Sequence, residues 1–364
     1  MVMWRKLLLS IPLSTTCVLL SAGACLRAQT VNTDILTYKG SDRTEKLLEG
    51  AAKEGEVVFY SAMITNQALR PMADAFQKKY PKVKMTFWRA DSEDIAAKLS
   101  AEIRANSLKA DVVEGTGIGE ITVQAGYAQP VWSPELDNLP PKIRDGRGLW
   151  APTRMSYFSA AYNTKLIASA DAPKTYEDLL DPRLKGKIAW PFVAASAAPL
   201  FVTNLRIAWG EDRAMDYFKK LSQQKVVNFG AGNARTLVDR VIAGEYPIAL
   251  AIFAHHPMIS ADKGAPVTSQ LMGPVASAAG TLVVPKGVRH PHAAVLLLDF
   301  ILSKEGQQIL AGAEYFPVRA DVEPLAKLAK VKPDRAGYEE NFISPEQLNK
   351  YTDGSIKMLE EMFR

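Results

Sequence analysis

The sequence predicts an α/β fold of two lobes, each a doubly wound sheet with helices on both faces. Three observations predict it. A chain of 364 residues is too long for one ordinary core and divides naturally into two. Apolar runs of strand length alternate with segments of helical period, the pattern of βα units. Strand after strand then ends in a loop of small or polar residues, the edge at which open α/β sheets bind ligands.

The N-terminus is set aside first, because it reads as an export leader. Arg5 and Lys6 precede an apolar run from Leu7 to Leu20, and small residues follow at Ser21-Ala22-Gly23-Ala24. Ser10, Pro12 and Ser14 interrupt the run, which is too short for a membrane span. Cleavage after Ala24 or Ala28 gives a soluble periplasmic product. Lipid anchoring at Cys25 is the alternative, with Ala22 where a lipobox carries Leu. Both cysteines, Cys17 and Cys25, fall in residues 1–28, so a chain beginning after Ala28 has no thiol chemistry. Losing Arg5, Lys6 and Arg27 with the leader takes the formal charge from +5 to +2. No basic run suggests nucleic acid.

From residue 29 to 150 the chain reads as the first part of lobe one. Glu45 to Lys53 predicts a short helix ending at Gly55, and Glu56 to Tyr60 a strand leading into Ser61. Leu69, Met72, Ala73 and Phe76 form one face of the next helix. Lys84 to Trp88 is a second strand, ending at Arg89. A helix from Ser92 to Ala105 buries Ile95, Leu99 and Ile103, with Lys98 and Glu102 on its solvated side. Asp111-Val112-Val113 is a third strand, followed by Glu114-Gly115-Thr116-Gly117. A Pro-rich stretch from Pro130 to Pro141 closes this part.

Ser156 to Asn163 reads as a long connecting strand, and residues 151–276 as the second lobe. Lys187 to Trp190 is a strand, and Leu200 to Ala208 a helix. The segment Val226 to Pro257 is the best-defined unit: a short strand, a turn at Gly230-Ala231-Gly232, a helix capped by Asn233 and Gly244, and a strand ending in His255-His256. Leu237, Val238, Val241 and Ile242 give that helix its apolar face. Residues 277–325 return to lobe one through a strand from Gly280 to Val284 and a single helix from His292 to Leu310. Residues 326–364 are polar, helical and broken at Pro333 and Pro345, and are expected to pack on the second lobe.

The ligand-binding candidates follow from shared placement. Ser61, Arg89 and Thr116 end strands of the first lobe; Ser196, Asn233, His255 and His256 lie in post-strand positions of the second. Hydroxyls and an arginine at one edge suit a polar or anionic solute. Neighbours on an extended segment face opposite ways, so at most one of the two histidines is expected to face the ligand unless a loop re-aims both. Gly115-Thr116-Gly117-Ile118-Gly119-Glu120 approximates a dinucleotide fingerprint but has Glu120 where the third glycine belongs, and a carboxylate there would repel a pyrophosphate. The turn at Gly230 fails in the same way at Arg235. His290 and His292 read as a surface turn and helix cap. No G-x-S-x-G, H-E-x-x-H or G-x-x-x-x-G-K occurs, so the sequence predicts a binder without a cofactor, not an enzyme.

Glu56 to Ser61, Ala161-Tyr162-Asn163-Thr164, Leu184 to Ile188, Val241 to Glu245, Lys263 to Val267, and His290 through Gln307 together resemble the family 1 extracellular solute-binding proteins of bacterial ABC importers. This is the type II periplasmic binding protein fold that includes ferric-iron-binding proteins. The resemblance runs from about Gly55 to Arg319. It implies a solute cleft between two lobes that close by a hinge, and a membrane permease and a cytoplasmic ATPase as partners; the sequence itself gives no reason to expect an obligate oligomer, so a monomer is expected. In ferric-binding members adjacent tyrosines after the strand ligate iron; this chain shows no such pair, and His255-His256 fall near that place. Relatives of this fold take phosphonates, sugar phosphates, polyamines or thiamine, and the donors here favour a small anion. Ferric iron or another metal ion held by His255 and His256 is the alternative, and an exported hydrolase or lyase using the pair as base a more distant one.

Overall fold

The computed structural model describes residues 33–191, 198–229 and 234–363. The leader and its two cysteines, and the candidates Ser196 and Asn233, lie outside the described residues. Eleven strands are described: β1 Glu56–Ser61, β2 Lys84–Arg89, β3 Val112–Thr116, β4 Ala151–Asn163, β5 Ile188–Trp190, β6 Val227–Asn228, β7 Ile248–Phe253, β8 Val267–Gln270, β9 Val275–Val283, β10 Phe316–Pro317 and β11 Glu340–Phe342. The helices are α1 Arg43–Glu54, α2 Arg70–Lys79, α3 Ser92–Arg104, α4 Ile118–Gln124, α5 Ala198–Trp209, α6 Glu211–Ser222, α7 Ala234–Ile242, α8 His255–Asp262, α9 Pro291–Leu302, α10 Lys304–Gly312, α11 Ala326–Ala329, α12 Pro333–Ala336 and α13 Pro345–Met362.

The strands run in the order β2-β1-β3-β9-β4-β7-β5-β6, and β4 organises them. Its first half, Ala151 to Tyr157, pairs antiparallel with β9; its second half, from Phe158 to Asn163, pairs with β7 and β8. All thirteen of its residues are buried, as a strand covered on both faces requires. On one side of this changeover β1, β2 and β3 are parallel, and on the other β5, β6 and β7 are parallel. Each half of the sheet is covered on both faces by separate apolar clusters. In the first half, Phe76, Leu297 and Phe300 pack on one face and Ile95, Leu99 and Ile118 on the other. In the second half these are Phe201, Leu205 and Phe218, against Leu237, Val238 and Val241. The doubly wound, two-lobed α/β fold expected from the alternation is the one formed.

Several elements differ from the sequence reading, each for a local reason. The expected helix from His292 to Leu310 is two helices, α9 and α10. Ser303 between them is extended (φ −63°, ψ 162°), and its hydroxyl accepts from the Gly306 amide while donating to Phe300 O. Glu102, expected on the solvated face of α3, is buried and accepts from the Tyr60 hydroxyl at 2.9 Å and the Lys109 amide at 3.1 Å. Pro333 and Pro345 do not break helices; each sits in the first turn of one, where a missing amide costs nothing. Gly55 and Gly244 take the left-handed conformation expected of them.

Candidate functional site

Ser61, Arg89 and Thr116 are the last residues of three neighbouring strands. Parallel register sets Ser61 beside Arg89 on one side and beside Glu114 on the other. The expected edge therefore exists, but its three residues do different things. Ser61 is fully buried: its hydroxyl donates to Glu114 Oε2 at 2.7 Å and accepts from the Met63 amide at 3.1 Å. Arg89 is exposed and pairs with Asp91 at 2.9 Å. Thr116 is half-buried opposite Gly280 of β9.

The centre of the edge is a charge pair that the sequence reading missed. Glu114 has no solvent exposure, yet is satisfied by the Ser61 hydroxyl, by Thr153 Oγ1 at 3.1 Å, and by Arg154 Nη2 at 3.2 Å. Arg154 enters from β4, three residues before the strand changes partners, and its guanidinium stacks on the Tyr315 ring at 4.7 Å. The Tyr315 hydroxyl accepts from the Ile64 amide at 3.1 Å, fixing the ring between the loop after β1 and Arg154. Gly280 makes room for the pair: a Cβ there would lie 2.9 Å from Glu114 Oε1 and 3.2 Å from Arg154 Cγ. Charged residues inside otherwise apolar strands were the available signal.

Across the changeover the second half contributes the histidines. β7 ends at Phe253, and His255 and His256 open α8 instead of continuing an extended strand. The expectation that they face opposite ways is therefore corrected: the rings lie side by side, centroids 4.4 Å apart. His255 is 6.1 Å from the Tyr315 ring and 6.2 Å from Phe316. Arg235 of α7 donates to His256 O at 3.1 Å and Ser260 Oγ at 2.9 Å, so the failed fingerprint supplies a structural arginine. Burial, then the neighbouring His256, Arg154 and Arg235, hold the His255 imidazole well below its usual range. Burial, Arg235 and Arg154 push His256 down to about 3. Both rings are therefore neutral, beside two permanent cations.

Unused polar atoms collect along this seam. Arg154 Nε, Ser156 Oγ, His255 Nδ1 and His256 Nδ1 are buried and have no hydrogen-bond partner among the described residues. Buried polar groups are ordinarily satisfied, so these unpartnered atoms stand out as available for hydrogen bonding. A cavity of about 890 Å³ opens elsewhere, lined by residues such as Leu166, Asp181, Arg183 and Pro247. None of its lining residues carries an unpartnered buried polar atom. Chemistry favours the seam over that cavity.

His290 and His292, expected as a surface turn and cap, stand at the start of α9 against carboxylates. His290 Nδ1 is 2.9 Å from the buried Asp111, and His292 Nδ1 is 2.7 Å from Glu54. Among the described residues no three His, Cys, Asp or Glu side chains gather in a metal-binding cluster.

Comparison with known proteins places the fold. Residues 109–341 match the family of bacterial extracellular solute-binding proteins. An uncharacterized protein of Haemophilus influenzae is 32% identical over 278 residues, 71% of this chain and 76% of its own. A periplasmic protein of Salmonella typhi assigned 2-aminoethylphosphonate binding is 28% identical over 195 residues, covering 50% of this chain and 55% of its own. Among solved structures, the periplasmic binding protein AfuA of Actinobacillus pleuropneumoniae, with fructose-6-phosphate bound, superposes with a TM-score of 0.70. It is 26% identical, over 85% of this chain and 99% of its own. Iron-bound HitA of Pseudomonas aeruginosa shares the fold at a TM-score of 0.71 and 21% identity, over 84% of this chain and 99% of its own.

Proposed function

Because the chain belongs to the family of bacterial extracellular solute-binding proteins, we propose that it captures a small anionic solute on the Arg154 side of the seam and delivers it, chemically unchanged, to the permease of an ABC importer. The solute class best suited to the site is a phosphonate or phosphate ester. The observation that carries this is Arg154: a buried guanidinium with Nε unpartnered, beside two neutral imidazoles whose Nδ1 atoms are also unpartnered. Phosphoryl oxygens are acceptors for a guanidinium and for an imidazole protonated at Nδ1. The fructose-6-phosphate of AfuA and the 2-aminoethylphosphonate assigned to the Salmonella protein are anions of this kind.

We read the binder as acting in the periplasm, as a monomer, with Ser61 and Thr116 shaping the first-sheet wall and His255 and His256 the second. Arg89 guards the outer edge. A metal-ion carrier is a second reading, favoured by the adjacent imidazole Nδ1 atoms. Arg154 and Arg235 oppose it, because these cations, which with burial keep the imidazoles unprotonated, also repel a metal ion.

The test is a thermal-shift series on the purified protein with alkylphosphonates, sugar phosphates, polyamines, Fe(III) and Zn(II), since a ligand that binds only the folded state raises its melting temperature. Stabilisation by a phosphonate or phosphate ester, lost in Arg154→Met, is the expected result. Stabilisation by a metal ion alone, retained in Arg154→Met, would replace the anion reading with the carrier.

A further inference from the structure

The face of β4 that carries Arg154 carries one more group that the anion reading leaves unused. Side chains two apart on a strand share a face, so Ser156 stands beside Arg154 with their Cα atoms roughly 7 Å apart. The register with β9 agrees: Arg154 pairs with Gly280 and Ser156 with Ala278, so this stretch of the face is built from small side chains. Ser156 has no solvent exposure, and its Oγ has no hydrogen-bond partner among the described residues. Other hydroxyls buried at this crossing are committed. Thr153 donates to Gly280 O at 2.8 Å, Ser159 accepts from Ser269 at 2.7 Å, Ser277 donates to Glu340 at 2.6 Å, and Thr281 accepts from the Gly119 amide at 2.8 Å.

The edge of β4 explains why Ser156 is left uncommitted. On the side away from β9, β4 pairs with β10 at Arg154 and Met155, and with β7 from Phe158 onward. Ser156 falls in the gap. Continuing the β10 register by one residue sets Tyr315 abreast of it. On the other flank the Ala254 amide donates to Tyr157 O at 2.8 Å, which brings the start of α8 to the same point. The rings that border the gap, Tyr315 and His255, are 6.1 Å apart, and the Tyr315 ring also carries the Arg154 guanidinium. Ser156 thus sits where the first half of the sheet hands over to the second, between the arginine and the histidines.

A buried hydroxyl without a partner destabilises the solute-free protein, and a ligand oxygen placed against it removes that penalty. A tetrahedral oxyanion directs its oxygens several ways from one centre, so one can accept from Arg154 Nε while another accepts from Ser156 Oγ. We propose that Ser156 is a further ligand-contacting residue, whose hydroxyl donates to an oxygen of the solute's anionic head alongside Arg154. The assignment rests on the anion reading of Arg154 and deepens it. It makes the strand that joins the two halves part of the binding surface, and it selects for a head group with at least two acceptor oxygens on one atom.

The experiment is titration calorimetry with ethylphosphonate, together with melting temperatures of the solute-free protein, on wild type, Ser156→Ala and Ser156→Cys. Ser156→Ala is expected to bind roughly tenfold more weakly, the factor that one hydrogen bond to a charged group supplies. Its solute-free melting temperature should be no lower than that of wild type, because no partner within the protein is lost. Ser156→Cys fills the same space with a weak donor and should bind within about threefold of Ser156→Ala. Three results would each overturn the role of Ser156 while the anion site stands: affinity in Ser156→Ala within about twofold of wild type, wild-type affinity in Ser156→Cys, or weakened binding in a Ser156→Ala protein that also melts several degrees lower. If ethylphosphonate does not bind wild type, the Arg154 reading falls and the role of Ser156 with it.

Discussion

Arg154 Nη2 lies 3.2 Å from Glu114 Oε1, and the two side chains are 8% and 0% exposed. An ion pair this deeply buried is costly to break from one side, because the remaining charge has neither water nor partner. Glu114→Ala is expected to destabilise the fold by about 3–5 kcal/mol in urea denaturation. Combining it with Arg154→Met should recover much of the loss, since the double variant strands no charge. A double variant as unstable as Glu114→Ala alone would show that the pair is not what holds this edge.

Gly280 faces the same pair. Adding a methyl group there drives Glu114 Oε1, Thr153 Oγ1 and Arg154 Cγ apart from their present positions. Gly280→Ala is expected to cost roughly 1–3 kcal/mol by overpacking. It should also weaken phosphonate binding measured by calorimetry. Wild-type affinity in this variant would mean that the pair can shift without disturbing the site.

Two histidines should give opposite pH dependences. The hydrogen bond to Asp111 raises the His290 pKa above its ordinary value, so folding favours the protonated form. The stability it contributes is full below about pH 6.5 and is lost as pH rises through the folded value. His256 is held down to about 3, so the unfolded chain takes up a proton that the folded one refuses. Stability is therefore lost as pH falls from about 6.5 toward 3. Urea midpoints between about pH 4.5 and 8.5 test both. His290→Gln should be penalised most on the acid side, and His256→Gln should lose less stability on acidification than wild type. A His290→Gln penalty independent of pH would contradict the Asp111 pairing.

Tyr315 tests how Arg154 is held. Its hydroxyl serves the Ile64 amide, while its ring face carries the guanidinium. Tyr315→Phe is expected to cost about 1 kcal/mol for the unpaired amide and to leave phosphonate affinity within about threefold. Tyr315→Leu, which also removes the ring face, should weaken binding further. Equal affinities in the two variants would show that stacking does not position Arg154.

The parts of this molecule that were legible in the sequence are those set by local pattern. Apolar runs ending in polar residues located the edge at Ser61, Arg89 and Thr116 because strand ends are a short-range property. Glu114 and Arg154 escaped because their meaning lies in each other: a single charge within an apolar run resembles an exposed position until its partner, forty residues away, is known. Glu102 escaped similarly, since helical period places it off the apolar stripe but says nothing of Tyr60 reaching across from β1. The histidines were misread because Pro257 looks like the end of an element. In fact Pro257 sits in the first turn of α8, where no amide is needed. The break at Ser303 was invisible because the apolar stripe of α9 keeps its period up to the cap.

The shared strand β4 has a consequence for how the molecule comes apart. Separate cores in a protein of this size would ordinarily melt separately. Here neither half of the sheet can dissolve without unpairing the strand that completes the other half. The solute-free protein should therefore show one calorimetric transition, with agreement between calorimetric and van't Hoff enthalpies. The amides slowest to exchange with deuterium should trace β4 continuously from Met155 to Tyr162, across the point where its partners change.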